Sequence, residues 1–431
     1  MATWRSRRAR IERNLRVAGV DVQVDHYYPL GDDLGLLVWI RTPYGRGGMT
    51  SIAKRFVKAG AHVLLEETGG DSMTFAPEDA AAVAAWLRSQ PWFPGTIASW
   101  GLSAIGYASW ALAAIDIPEW RLAILQDAQS ELRDAVIYPG GAFAGSVALS
   151  YVHAVEWHAK HPRGSLPRSL LAAVRGARRA RRVLAALPIG TADQRLVGHR
   201  VEYFQRWLAH EQDEEYWKRL DLRANASRMP ELVHLASGWY DVCLPSVLVD
   251  YRALRDAGKR VRLSIGPWYH GRGTMDRAYR ADVDCWLRAA AGGTVHHDAP
   301  VRVHVGGLDE WRDLPDWPPP GCSPTTWHLH PEGALDPTCP PSESPPARYR
   351  YDPAHPTPSV GGAVENLDGS AGAKDNRRLE RRPDVLTYTS NTLDADLEVI
   401  GPVHAPKTLR ATLEHVDVFV RLCDVHPDGR S

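Results

Sequence analysis

Between about residues 34 and 273, short apolar runs alternate with longer segments whose apolar residues return every three or four positions. The runs at 36–40, 62–65, 96–100, 122–125, 232–236 and 262–265 predict strands. The segments at 51–58, 77–88, just after Ser103, 246–256 and 278–290 predict helices. This alternation builds a mostly parallel sheet covered by helices on both faces, an α/β fold. From about residue 140 to 229 it gives way to long arginine-studded helical stretches such as SLLAAVRGARRARRVLAAL. An all-helical insertion between two strands predicts a cap over the loop end of the sheet. Arg178, Arg179, Arg181 and Arg182 read as the solvated face of a cap helix.

After VRVHVGGLDEWRDLPDWPPPG the chain is proline-dense. From Trp327 it reads as short strands with turn residues, in TTWHLHPEGAL, DVLTYTSNTL, DLEVIGPV and HVDVFVRLCDVHPDG. These predict a separate all-β domain of the sandwich kind. The expected division is a catalytic α/β domain over residues 1–312, its cap over about 140–229, and a β domain over 313–431. The strand at 416–423 runs into HPDGRS with no returning partner, so the β domain is expected to be cut short.

A length of 431 residues implies two or three structural units. With 51 basic and 51 acidic residues the net charge is zero, which argues against a nucleic-acid or membrane-surface protein and for a small, neutral partner. No run of about eighteen apolar residues occurs to span a bilayer. The arginine-rich start, MATWRSRRARIERNLR, lacks the apolar region of a secretory signal and reads as a solvated tail or exposed helix. Cys243, Cys285, Cys322, Cys339 and Cys423 are odd in number and irregularly spaced. They fit neither a disulfide framework nor a zinc site, and indicate a reducing, cytoplasmic setting.

Candidate chemistry begins with GTIASWGLSAIGYASWALAA, residues 95–114, where Ser103 sits at a strand-to-helix junction between Gly101 and Gly106. Such a serine is either a nucleophile on a sharp elbow or a small residue that lets the chain turn. The pattern is G-x-S-x-x-G, not the usual G-x-S-x-G, so by itself it leaves both readings open. Two further residues bear on the choice. Asp241 follows the strand LVHLAS in GWYD, and His270 follows the next strand in GPWYH. Serine, acid and histidine in that order, each on a loop at the carboxyl end of a strand, are the arrangement of a hydrolase triad. A turn aspartate and a loop histidine are the plain alternatives, but agreement of all three in order favours the nucleophile.

These residues resemble the cocaine esterase-like branch of the X-Pro dipeptidyl-peptidase hydrolases. The matching motifs are RTPYG, GLSAIGYASWALA, GWYD, GPWYH, DEWRDLPDWPPP, YDPAHPTPSVGG, RPDVLTYTS, DLEVIGPV and LCDVHPDGR, collinear from about Asp25 to Arg430. The resemblance implies an α/β-hydrolase domain with a helical cap and a C-terminal jelly roll. It also implies Ser103, Asp241 and His270 as the triad, with the Tyr44 hydroxyl and the Ala104 backbone N–H as oxyanion hole. No metal or organic cofactor is expected. Three departures stand out. Ala104 replaces a usual tyrosine, Gly69-Gly70 replaces a usual Arg-Gly, and family members continue past the point where this sequence stops.

The first expectation is an esterase acting on small apolar acyl groups. An X-Pro dipeptidyl-peptidase or α-amino-acid ester hydrolase is the alternative, and a non-catalytic or misfolded family member is a second. A peptidase must hold a free amine, for which Glu66, Glu67 and Asp71 are candidates. Trp100, Trp110, Trp239 and Trp268 adjoin the motifs and are either pocket wall or core. Cys243 reads as a packed loop thiol with no base positioned for it. His328, His330, His296 and His297 read as surface residues. The expected partner is a small-molecule ester or short peptide, with no nucleic acid and no membrane. Unpaired β-domain edges would favour a homo-oligomer.

Overall fold

The computed structural model describes residues 10–68, 75–161, 164, 166–294, 299–364 and 370–431. Strands β1 (Ile11–Arg16) and β2 (Gln23–Tyr27) form an antiparallel pair at its start. There follow β3 (Leu37–Thr42), α1 (Thr50–Lys58), β4 (His62–Glu67), α2 (Pro77–Arg88), β5 (Ile97–Leu102), α3 (Ala104–Ala111) and β6 (Trp120–Gln126). The cap comprises α4 (Gly145–Lys160), α5 (Leu166–Leu184), α6 (Ala192–Val197), α7 (Glu202–Ala209) and α8 (Glu214–Lys218). The sheet resumes with β7 (Leu232–Tyr240), α9 (Leu244–Asp256), β8 (Arg260–Tyr269), α10 (Arg277–Ala290), β9 (Val301–Val305) and β10 (Glu310–Leu314).

All ten strands form one sheet in the order β1-β2-β4-β3-β5-β6-β7-β8-β9-β10. The pairs from β4 through β3 and across to β9 are parallel; β1–β2, β2–β4 and β9–β10 are antiparallel. Central strands of a parallel sheet are covered on both faces, which is why β3, LVWIRT, is buried along its whole length. Its side chains alternate between two cores. Leu37 and Trp39 join the core that α2 and α9 cover, and Val38 and Ile40 join the one that α1 and α10 cover. A third core, with Tyr138, Phe204 and Trp207, holds the cap to α3 through Tyr107, Ala108 and Ala111. The four arginines expected on the solvated cap face are exposed.

Two expectations need correction. Residues 11–16 are neither tail nor helix but the edge strand β1, for which β2 supplies a partner backbone that no local pattern announces. The strands expected at 384–393, 396–403 and 415–429 form no ladder among the described residues. Among the described residues beyond β10 the paired strands are two short ones, His328–Leu329 and Leu335–Asp336, with isolated bridges at Ala334–Thr389 and Gly362–Gly372. Alternation supplies a propensity, but a strand also needs a neighbouring backbone to pair with. Val399, Phe419 and Leu422 are consequently exposed.

A buried ion pair ties the ends of β3 and β4 together. The Glu66 carboxylate accepts from Arg41 Nε at 3.0 Å and from Trp39 Nε1 at 2.7 Å, all three side chains being sealed from solvent. Removing one partner of such a pair leaves a charge without compensation, at roughly 3–5 kcal/mol. Glu66→Ala is expected to lower the unfolding free energy by about that amount, measured by urea denaturation.

Candidate active site

The site starts at the turn from β5 into α3. Ser103 has φ +56° and ψ −128°, outside the regions that non-glycine residues ordinarily occupy, at a cost on the order of 1–3 kcal/mol. Its N–H donates to Gln126 O at 3.0 Å, so β6 holds the turn. The flanking glycines are required for contact. A Cβ on Gly101 would stand 2.4 Å from Gly106 Cα, and one on Gly106 would stand 2.2 Å from Ala128 Cβ. G-x-S-x-x-G thus works as an elbow because its two glycines meet each other across the turn.

Asp241 and His270 emerge on neighbouring loops, after β7 and β8. His270 Nδ1 lies 2.8 Å from Asp241 Oδ2. The other Asp241 oxygen accepts from Cys243 N–H at 2.7 Å. Asp241 is buried, so these two hydrogen bonds fix its orientation. Burial by itself pushes the His270 imidazole down, but the Asp241 carboxylate, its hydrogen bond and the Cys243 side chain outweigh it. Its pKa stands well above that of an ordinary histidine.

The elbow and the histidine open onto one cavity beneath the cap. Ser103, Ala104, Tyr44, His270 and Cys243 line its sheet side, and Leu132, Val136 and Ile137 its flank. Helices α4, α5 and α7 close the opposite side with Val147, Tyr151, Val174, Ala177 and Trp207. No described lining residue is an aspartate, glutamate, lysine or arginine. Tyr44 is fixed by its own N–H, which donates to Thr42 Oγ1 at 3.0 Å, and by ring contacts with Tyr151 and His158. Burial lowers the His158 pKa to about 4, so the imidazole beside Tyr44 is uncharged at neutral pH.

Residues 18–272 match the family described as X-Pro dipeptidyl-peptidase (S15 family). The chain belongs to that family. Residues 293–431 match the X-Pro dipeptidyl-peptidase C-terminal non-catalytic domain. The cocaine esterase of Rhodococcus sp. (strain MB1 Bresler) is 27% identical, the match covering 96% of this chain and 79% of that protein. Two solved structures share the fold. An α-amino acid ester hydrolase has a TM-score of 0.69 at 19% identity, over 91% of this chain and 74% of that one. An aminopeptidase from the marine sediment archaeon Thaumarchaeota archaeon has a TM-score of 0.65 at 18% identity, over 88% and 71%. The protein is an α/β hydrolase with a C-terminal β domain, and a serine hydrolase of esters or amides.

Around this cavity the structure brings together Ser103, Ala104, Tyr44 and His270, with Asp241 behind the histidine. Of the two readings of the tryptophans, Trp100, Trp110 and Trp268 take the core one, and Trp239 donates to His304 O at 2.7 Å. The indole at the cavity is Trp207, which the cap contributes. Cys243 is buried, but it is more than a packed thiol, because its sulfur falls within 4.8 Å of the facing His270 nitrogen and Asp241 oxygen. A base does stand beside it, although burial, followed by the Asp241 charge, raises its pKa and keeps it a thiol. Glu66 is spent on Arg41 and Glu67 on Arg46, at 3.2 Å. Asp71, Gly69, Gly70, His296 and His297 lie outside the described residues. His328 and His330 bond Cys339 Sγ and Thr338 O and gather no third ligand among the described residues. Sequence reasoning missed the cap residues of the cavity and also Asp127, just beyond β6, whose one signal is its place at a strand's carboxyl end.

The elbow contact generates a test. Gly106→Ala is expected to cost about 1–3 kcal/mol of stability through overpacking against Ala128. It is also expected to slow fluorophosphonate labelling of the protein at least tenfold, and Ala128→Gly in the same chain should recover much of both losses.

Proposed function

We propose that the protein is an esterase of small, uncharged apolar acyl groups that works through an acyl-enzyme. In this reading Ser103 Oγ attacks the ester carbonyl while His270 takes the hydroxyl proton and afterwards delivers it to the leaving alcohol. Asp241 holds His270 Nδ1 and stabilises the imidazolium. The Ala104 N–H, at the first turn of α3, and the Tyr44 hydroxyl receive the oxyanion, and a phenol remains a donor throughout the neutral range. Water then repeats the sequence on the acyl-serine.

The observation that carries the ester reading is the cavity lining, which is mostly apolar, with uncharged polar groups such as Gln129 and Ser150, and without a carboxylate among its described residues. A dipeptidyl-peptidase would bury its substrate's ammonium there. An unpaired buried charge costs roughly 3–5 kcal/mol, and the candidate carboxylates Glu66 and Glu67 already face arginines. We further assign the protein to the cytoplasm, in keeping with five free cysteines, and no described helix is long and apolar enough to cross a membrane. Exposed Phe419 and Leu422 favour self-association through the β domain. We place the division between the two domains close to residue 312, at the last strand of the large sheet.

A fluorophosphonate probe is expected to label Ser103, located by mass spectrometry, and to leave Ser103→Ala unlabelled. Labelling at another serine, or none in folded protein, removes the proposed mechanism. Tyr44→Phe is expected to lower kcat roughly a hundredfold, corresponding to about 2.7–4 kcal/mol for one oxyanion donor. Across a panel, short-chain and benzoyl esters are expected to exceed Ala-Pro anilides by about a hundredfold or more in kcat/KM. The reverse order would identify a peptidase.

A further inference from the structure

The proposed chemistry uses one buried carboxyl, Asp241, yet the floor of the site holds two. Asp127 is the first residue after β6, fully buried and at φ +46°. Its N–H donates to Ala236 O at 2.8 Å, which pins its backbone to β7. Its side chain reaches the next loop. Asp127 Oδ2 accepts from Gly271 N–H at 2.8 Å and from Gln126 Nε2 at 3.2 Å. Gly271 directly follows His270, so this carboxyl ties the end of β6 to the loop that carries the histidine. Asp127 Oδ1 is buried without a hydrogen-bond partner.

Among the described residues, the groups that act on Asp127 most strongly are Gln126 on its own strand, Asp241 and Cys243 after β7, His270 after β8 and Tyr279 on α10, none of them an arginine or lysine. Two buried carboxyls thus share one imidazole, and that imidazole is already hydrogen-bonded to Asp241. Like charges in such a place do not both persist. Oδ2 accepts two hydrogen bonds as a carbonyl oxygen does, and a neutral hydroxyl at Oδ1 costs less to bury there than a share of negative charge.

We propose that Asp127 is a positioning residue of the hydrolase, a carboxylic acid kept neutral so that it anchors Gly271, and through it His270, while Asp241 remains the single anion of the site. Burial first, and the Asp241 charge second, push its pKa up to about 8, consistent with that state at neutral pH. Above that pH a second anion forms beside His270 and holds the imidazole in its protonated form.

The catalytic consequence rests on the esterase reading, but the protonation state does not. Asparagine keeps the shape and the acceptor, and tolerates positive φ. In the full chain, Asp127→Asn is expected to label with fluorophosphonate at the wild-type rate from pH 6 to 7. Above pH 8 it should label faster than wild type, whereas Asp127→Ala should be at least tenfold slower at pH 7. A second arm needs no activity. The folded pKa of Asp127 is raised above its ordinary 3.8, so its stabilising effect is complete below pH 4 and is lost as pH rises through about 8. The melting midpoint of Asp127→Asn minus that of wild type should therefore grow between pH 4 and 8 and level off above. A flat difference overturns the proposal, as does a tenfold slower Asp127→Asn at pH 7. Absence of wild-type labelling together with a rising midpoint difference would remove the esterase reading and leave Asp127 neutral as proposed.

Discussion

The close approach of Gly101 to Gly106, and of Gly106 to Ala128, is the contact on which the rest of the site depends. It lets β5 reverse into α3 within one residue, and it holds that residue, Ser103, in a backbone conformation it would not adopt alone. The strain is small beside the stability of the surrounding sheet, because β3, β6 and all of α3 are packed around the turn. The side chain at the junction is thereby presented to the cavity, which Ala104, the first residue of α3, also lines. One steric constraint thus supplies both the proposed nucleophile and half of the proposed oxyanion hole.

The electrostatics of the site follow from strand order. β5, β6, β7 and β8 are adjacent and parallel, so their carboxyl ends deliver Ser103, Asp127, Asp241 and His270 to neighbouring positions. Burial excludes the water that would otherwise screen these groups, so each charge must find its partner inside the protein. His270 has one in Asp241. Asp127 accepts backbone and amide hydrogen bonds but shares His270 with Asp241, which holds the imidazole by a direct hydrogen bond, and that difference separates the states of two carboxyls only a strand apart. The helical cap completes the arrangement by contributing Val147, Val174, Ala177 and Trp207 to the cavity lining, which holds no carboxylate, lysine or arginine side chain among its described residues.

Much of this was legible in the chain itself. Helix α2 starts and ends where periodicity predicts, and α9 and α10 begin only one or two residues early. The order Ser103, Asp241, His270 was readable because each residue lies just beyond a run of strand formers. The tryptophans were not. An indole beside a motif is near it in sequence, and yet Trp100, Trp110 and Trp268 turn into the core while Trp207, about a hundred residues from the elbow, reaches the cavity. The edge strand β1 escaped notice because its pairing residues lie among arginines and its partner follows only after a turn. The alternating segments after residue 384 mark the converse case, a strand pattern without a ladder.

By itself, then, the sequence determined the α/β class, the helical insertion, the elbow and the triad candidates, since period, glycine placement and chain order are local properties that survive without the fold. Tertiary structure alone decided which groups share an environment. It sealed Glu66 onto Arg41, away from any substrate, and it set Cys243 beside His270. It also brought Asp127 to the backbone of Gly271, 144 residues along the chain. Those outcomes depend on contacts and on the exclusion of water, which arise when distant strands align, and no local pattern encodes them.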